Sequence, residues 1–298
     1  MKKLEQVIIE DTFSKKNVRK KIMKELIESD DGEFGLKIDD ACAAIQKYLR
    51  GDYYDSKNAR MEHLFNHPIT IDDIVYEILI IIMPVTGYQT IQSACGRLAP
   101  LLGYSDIFDG IKTAGELIAV VCESDMYDIV LPAESFTGSA LILNKYELSP
   151  ELMQYISQVK YLPPMICEPK VLEGNWESGY LTVPDQVMLK GKTHKGKMPL
   201  DVINIRNQIA LSLDERMLEI EETPKNKPET PEQVANFDRM KRASRTVYDD
   251  LLVQGNKFYL TNKVDERLRM YAQGYHCNYQ SGQYKRAIVN LHKKELIS

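Results

Sequence analysis

Residues 258–272 read Phe258-Tyr259-Leu260-Thr261-Asn262-Lys263-Val264-Asp265-Glu266-Arg267-Leu268-Arg269-Met270-Tyr271-Ala272. Aromatic and aliphatic residues stand on both sides of a polar pair, Asn262-Lys263, and this composition predicts two strands joined by a turn. We therefore expect a C-terminal β-hairpin with strands over residues 257–261 and 268–275 and the turn at the polar pair.

An extended second strand would sort its side chains onto two faces, because side chains alternate along a strand. Arg267, Arg269 and Tyr271 would then share one face. Two guanidinium groups and an aromatic ring suit a nucleic-acid backbone, since arginine forks onto phosphate and tyrosine stacks or bonds to sugar. A solvated sheet face, on which Asp265 and Glu266 pair with the arginines, fits the same pattern.

The first stretch of the chain, residues 1–160, is helical by pattern. Apolar spacing and N-cap residues predict helices over residues 37–49, 71–83, 106–122 and 150–159, with short strands at 129–131 and 141–143. Ser149 and Thr70 are the expected N-caps of two of these helices.

The second and third stretches differ in texture. Residues 161–198 carry repeated proline and glycine, which excludes a helix over 161–187 and predicts extended chain with turns near Gly174 and Gly179. Residues 199–255 are expected to form two helices, 199–220 and 231–253, joined by the polar linker 221–231.

Charge is unevenly distributed along the 298 residues. The net charge is −5, but residues 257–298 carry +5 and the remainder −10. A basic end on an acidic body indicates that one part meets a polyanion, and a solvated basic tail is the alternative.

Composition predicts a cytoplasmic protein. The chain is 44% hydrophobic and 27% charged, as in ordinary globular proteins. The N-terminus turns polar within a few residues, so we expect no secretory signal, and the apolar run at 78–85 is too short for a bilayer. The five cysteines and five histidines are scattered without metal-ligand spacing, so we expect reduced thiols and no metal site.

The hairpin residues resemble a known motif. Asp265, Arg267, Arg269 and Tyr271 match the Asp-x-x-Gly-Arg region of the single-subunit RNA polymerases of phages and mitochondria, which touches the template strand and the RNA–DNA hybrid. Leu268 stands where that family has glycine, and Glu266 where an aromatic residue is common.

Upstream segments resemble the same family in consistent order, over roughly residues 145–290. They are a proline-rich segment at 162–170 followed by Gly179-Tyr180, a basic segment at 189–197, a helix at 202–208 with an isoleucine-asparagine pair, and a helix at 244–248. The basic segment 190–197 has four lysines, a histidine and no acid. In isolation it reads as an exposed turn.

The resemblance implies an α+β fold, mainly α. It comprises a helical N-terminal domain (1–160), an extended segment with a basic loop (161–198), reduced thumb-like helices (199–255) and the start of a palm (256–298). It implies template and hybrid contacts by Asp265, Arg267, Arg269 and Tyr271. Further nucleic-acid contacts are implied for Lys190, Lys192, Thr193, His194, Lys195 and Lys197.

Catalysis in this family uses two Mg²⁺ ions held by carboxylates that lie well beyond the motif. Only 29 residues follow Arg269 here, and Glu295 is their only acid. We therefore expect a subunit of a heterodimeric phage DNA-directed RNA polymerase, inactive alone, with no catalytic residue or metal ligand of its own. A second chain would bind Mg²⁺ and supply the palm and fingers.

The expected partners are that second chain, the DNA template and the RNA transcript, in the host-cell cytoplasm and without a membrane. Apolar residues 288–291 are expected to need a covering surface, such as the second chain. Two alternatives stay open: a non-catalytic nucleic-acid-binding protein derived from such a polymerase, and a helical interaction protein whose hairpin match is accidental.

Overall fold

The computed structural model describes residues 1–28, 32–131, 139–189, 196–224 and 226–293. The protein is α+β and about half helical, with small antiparallel sheets. The fold class expected from the sequence is confirmed in this form. Among the described residues no helix is long and apolar enough to cross a membrane.

The chain divides into two compact units, Val18–Ser157 and a second made of Met1–Asn17 with Gln158–Ser298. The first helix thus belongs to the C-terminal unit, whereas the sequence placed it in an N-terminal domain of 1–160. The reason is Glu10, a wholly buried carboxylate that accepts hydrogen bonds from the backbone N–H groups of Leu181, Thr182 and Val183. A polar residue on a helix gives no sequence signal of such a partner.

The unit Val18–Ser157 is a helical core with one small sheet. Helix α1 (Lys2–Thr12) precedes this unit, and α2 (Lys15–Glu28) begins just before it. The other helices of the unit are α3 (Glu33–Leu49), α4 (Asp55–Asn66), α5 (Ile71–Ile82), α6 (Ile91–Leu98), a 3₁₀ turn (Ala99–Leu102), α7 (Ile107–Cys122) and α8 (Pro150–Gln158). The sheet has the order β1-β3-β2, all antiparallel, with β1 (Tyr88–Thr90), β2 (Tyr127–Val130) and β3 (Leu141–Asn144).

The helices predicted in this unit form because local signals and burial agree. The Thr70 hydroxyl accepts the N–H of Asp73 at 3.1 Å and begins α5, whose apolar face is wholly buried. The Ser149 hydroxyl accepts the N–H of Leu152 at 3.2 Å and begins α8. The predictions for α3, α5, α7 and α8 and for strands β2 and β3 are confirmed within a few residues.

The C-terminal unit combines short strands with one long helix. After α1 it contains α9 (Leu200–Asn207), β4 (Leu211–Leu213), α10 (Glu215–Leu218), α11 (Pro231–Val253), β5 (Asn262–Val264), β6 (Met270–Ala272), α12 (Gln283–Ala287) and β7 (Val289–Leu291). Strand β4 pairs with β7 and β5 with β6, both antiparallel. Residues 161–187 form no helix and no strand beyond an isolated bridge at Met165, as predicted.

The single helix predicted over residues 199–220 is wrong. Leu211 and Leu213 are buried in β4, and Leu211 exchanges backbone hydrogen bonds of 2.8 and 3.0 Å with Phe258. Asp214 then caps α10. Pairing with two distant segments overrides the helical pattern here. The second helix of this stretch is confirmed as α11, which begins after the Thr230 cap with Pro231 in its first turn.

The apolar residues near the C-terminus are covered by this chain itself, except at the last position. Ile288 is fully buried in the apolar core of the C-terminal unit, and Val289 packs against that core. Only Leu291 stays exposed. The expectation that Ile288 needs a second chain is therefore wrong.

Candidate nucleic-acid interface

The C-terminal hairpin forms, but its turn lies elsewhere than predicted. Asn262 pairs with Ala272 and Val264 with Met270, so residues 265–269 form the connecting loop. The predicted turn residues Asn262 and Lys263 lie inside β5 instead. Asn262 is buried and bonded to Asn207, which keeps it in the ladder.

Asp265 organises this loop. Its Oδ1 atom accepts the backbone N–H groups of Arg267 and Arg269, both at 3.0 Å. Its Oδ2 atom accepts the Arg269 Nε and Nη2 donors at 2.7 and 2.6 Å, and the Tyr271 hydroxyl at 3.2 Å. Donation by Arg269 lowers the pKa of Asp265 to about 2, so the carboxylate is ionised throughout the physiological range.

Leu268 adopts a left-handed backbone conformation in the same loop. Its φ is +59°, a region that glycine enters freely and other residues rarely. The Leu268 N–H donates to the Asp265 carbonyl at 2.9 Å, and half of the Leu268 side chain is exposed. Leu268 stands where the phage-type polymerases have glycine, and its backbone conformation is one that favours glycine.

The arginines do not lie on a strand face. Arg267 and Arg269 belong to the loop and only Tyr271 lies in β6, so the shared face predicted from strand alternation is wrong. Arg269 and Tyr271 nevertheless meet at Asp265. The side chain of Arg267 forms no hydrogen bond or ion pair with any described residue and is exposed, so its guanidinium group is open to a ligand.

Described residues on both sides of the basic segment contact the hairpin. Lys190, Lys192, Thr193, His194 and Lys195 lie outside the described residues, whereas Lys197 is described and exposed. Before the gap, Val187 accepts the N–H of Val264 at 3.0 Å. After the gap, Met198 packs in one apolar cluster with Val187, Met188 and Val264. The described residues Val187, Met188 and Met198, which flank the gap, are therefore packed against β5.

The buried side-chain amides of Asn207 and Asn262 hold β5 in place and were not predicted from the sequence. The Asn207 Oδ1 atom accepts both the backbone N–H and the side-chain amide of Asn262, at 2.8 and 3.0 Å. The Tyr279 hydroxyl donates to Asn262 Oδ1 at 2.9 Å. A Cβ on Gly179 would lie 2.7 Å from a Thr261 methyl, so only glycine fits there. Asparagines in a strand and a helix give no sequence signal of this pairing.

The loop after β6 forms hydrogen bonds with the hairpin. Gln280 accepts the N–H of Ala272 at 2.7 Å and donates to the Met270 carbonyl at 3.0 Å. The Tyr248 hydroxyl of α11 donates to the His276 carbonyl at 2.6 Å, which joins this loop to the long helix. Burial lowers the pKa of His276 to about 4, so its ring is neutral at pH 7.

The described ranges contain no group of three or more His, Cys, Asp or Glu side chains placed to hold a metal ion. Comparison with protein-family models finds none that matches this sequence, and comparison with curated proteins finds no match either. The resemblance to the phage-type polymerases stays a prediction.

Proposed function

We propose that this chain is a subunit of a phage-type DNA-directed RNA polymerase that binds the DNA template and the RNA–DNA hybrid. The observation that carries the proposal is the loop held by Asp265, which presents Arg267 to solvent and gives Leu268 a conformation that favours glycine. At position 268 the family has glycine, and the backbone of Leu268 adopts a conformation that favours glycine. The sequence resemblance and the backbone conformation therefore agree at this position.

In this proposal each loop residue has a distinct role. Arg267 donates to a template phosphate, because its guanidinium is exposed and charge-assisted hydrogen bonds to phosphate are strong. Asp265 positions Arg269 and Tyr271 and keeps the loop shaped before nucleic acid binds. The resemblance implies further contacts to the hybrid from Lys197 and from the basic residues of 190–195.

The second chain supplies the chemistry. Two Mg²⁺ ions on its carboxylates would activate the 3′ hydroxyl and neutralise the triphosphate, as in other two-metal nucleotidyl transfer. The residues of this chain hold a template in register and contribute no proton transfer. Residues 199–255 act as a reduced thumb, and their small size makes the grip on the hybrid weak without further factors.

The test is reconstitution. The chain is co-expressed with the product of the neighbouring gene, and Mg²⁺-dependent ribonucleotide incorporation is measured on single-stranded DNA. We expect a heterodimer that synthesises RNA, whereas either chain alone stays inactive. Arg269→Ala should lower synthesis strongly and leave the heterodimer intact, as measured by size-exclusion chromatography.

The contrary results point to different conclusions. If no complex forms but this chain binds nucleic acid, the accessory-protein alternative replaces the polymerase. If it binds neither, the hairpin match is accidental. If Arg269→Ala dissolves the heterodimer, Arg269 belongs to the subunit interface and not to template binding.

A further inference from the structure

Trp176 is the only tryptophan in the chain, and its side chain is 65% exposed. An exposed indole ring offers a large flat apolar surface on which another ring can stack. Within the described part of the chain, no hydrogen bond or ring contact occupies this side chain. The ring is therefore open to a ligand.

The turn that carries Trp176 is held in place. The Glu177 carboxylate accepts the backbone N–H groups of Glu173 and Gly174 at 2.7 and 3.3 Å. The side-chain amide of Asn175, the residue before Trp176, donates to the Gly196 carbonyl at 2.9 Å. An aromatic ring on a fixed turn loses little conformational entropy when a partner stacks on it.

This turn lies close to the hairpin. The carbonyl of Asn175 accepts the N–H of Val187 at 3.1 Å, and the carbonyl of Val187 accepts the N–H of Val264 at 3.0 Å. Hydrogen-bonded backbones lie about 4.8 Å apart, so the backbones of Asn175 and Val264 lie within about 10 Å of each other. A stacked strand rises about 3.4 Å per nucleotide, so about three nucleotides span that distance.

A lysine lies next to the turn that carries Trp176. Lys197 follows Gly196, the residue bonded to Asn175, and is exposed. Of the acids nearby, Glu173 is exposed, Glu177 accepts hydrogen bonds from backbone N–H groups, and Asp185 forms an ion pair with Lys263. A cationic surface with an exposed aromatic ring is the arrangement that binds single strands by base stacking.

We infer that the indole ring of Trp176 stacks on a base of the same single strand whose phosphate meets Arg267. This inference rests on the proposed function and adds a base-stacking site to it. Stacking needs no particular base, because every base has a π-face, so the site grips a template without reading its sequence.

The test uses the full-length chain and a fluorescently labelled oligothymidylate of about 12 nucleotides at low salt, a length within the range of single-strand sites. Since Trp176 is the only tryptophan, its emission reports this site alone. We expect the oligonucleotide to quench the Trp176 emission in a saturable way. The quenching should rise with oligonucleotide concentration in parallel with the anisotropy of the label. Trp176→Ala should weaken binding by about 5- to 150-fold, the effect of losing one stacked base.

Two further variants control for other causes. Trp176→Phe keeps an aromatic ring and should retain most of the affinity. Phe65→Ala removes a comparably exposed ring, 71% accessible, from the other unit and should leave binding unchanged. Because Trp176 is exposed, we expect all three variants to fold, as checked by circular dichroism. Should Trp176→Ala unfold, Trp176→Phe and the emission of the natural chain decide the question.

The outcomes separate the inference from the proposed function. Oligonucleotide binding with unchanged emission, or with full affinity in Trp176→Ala, overturns the inference and leaves the proposed function intact. No binding by anisotropy at low salt also overturns the inference, whereas the proposed function is decided separately by RNA synthesis in the reconstituted heterodimer. If only the second polymerase chain changes the emission of Trp176, the ring is a protein contact and the inference fails.

Discussion

The Asp265 carboxylate receives two donors from one guanidinium: Arg269 Nε lies 2.7 Å and Arg269 Nη2 2.6 Å from Asp265 Oδ2. The pair closes a loop of five residues whose remaining arginine, Arg267, is exposed. The acid therefore does not neutralise the whole site. It fixes one arginine and shapes the backbone that presents the other.

Replacing Asp265 tests whether this shape matters for binding. Asp265→Ala removes a negative charge, which by itself would strengthen binding to a polyanion. We expect weaker binding to single-stranded DNA instead, by about 2- to 12-fold, because the loop side chains must then be ordered on binding. Fluorescence anisotropy measures the affinity.

Glu266→Ala is the matched control, since it makes the same change in charge one residue away without removing the bonds of Asp265. It should leave the affinity equal or higher. Equal strengthening by both variants would show that charge alone decides binding and that the loop is not preorganised.

Arg267 is expected to act through phosphate. Arg267→Ala should lower the affinity for single-stranded DNA of any sequence and reduce the magnitude of the salt slope of binding by about 0.7. The measurement is log affinity against log salt concentration. Arg50→Ala, which removes an exposed arginine from the other unit, should leave the slope unchanged. A change in affinity with an unchanged slope would argue against a phosphate contact.

Leu268 is strained in the folded state. Leu268→Gly should keep or raise the free energy of unfolding by up to about 1 kcal/mol, because relief of the left-handed conformation outweighs the added freedom of the unfolded chain. Urea denaturation followed by Trp176 emission measures this in the C-terminal unit. Leu268→Val, β-branched at the same φ, should destabilise. Equal stability of both variants would contradict the role of backbone strain.

His276 makes stability depend on pH. Burial, with a smaller contribution from the charge on Lys285, lowers its pKa from 6.5 to about 4. The unfolded chain takes up the proton near pH 6.5 and the folded chain only near pH 4. The stabilisation is thus complete above pH 6.5 and falls by about 3 kcal/mol as the pH drops to 4.

Urea denaturation at several pH values tests this loss of stability. His276→Gln, which removes the titrating ring beside Ser244, should flatten the decline between pH 6.5 and 4. The contribution of Asp265 is lost only at lower pH, between its ordinary 3.8 and about 2, so the two windows do not overlap. An unchanged decline in His276→Gln would assign it to another group.

Glu10 joins the first helix to the C-terminal unit. Glu10→Ala would leave the N–H groups of Leu181, Thr182 and Val183 without their acceptor. We expect a loss of about 2–4 kcal/mol in the free energy of unfolding, because unpaired buried donors cost about 1–3 kcal/mol each. Asp11→Ala, one residue along but exposed, should change stability little. Equal effects would show that helix α1 is held by other contacts.

Local signals were sufficient for much of the helical structure. Thr70 and Ser149 each begin a helix at the residue expected from their hydroxyl groups, since a cap needs only the N–H groups two or three positions ahead. Local signals failed for β4, because Leu211 is hydrogen-bonded to Phe258, which lies 47 positions further along the sequence.

The candidate site shows the same division. Sequence alone determined that an acid, two arginines and a tyrosine stand within seven residues, and that the end of the chain is basic. Only the tertiary structure decided that Arg269 is held by Asp265 while the Arg267 side chain is exposed. The reason is that Asn262, buried against Asn207, lies within β5, so the turn begins at Asp265 and not at Asn262. The placement of Trp176 near that turn likewise depends on Val187, whose hydrogen bonds to Asn175 and Val264 join segments distant in sequence.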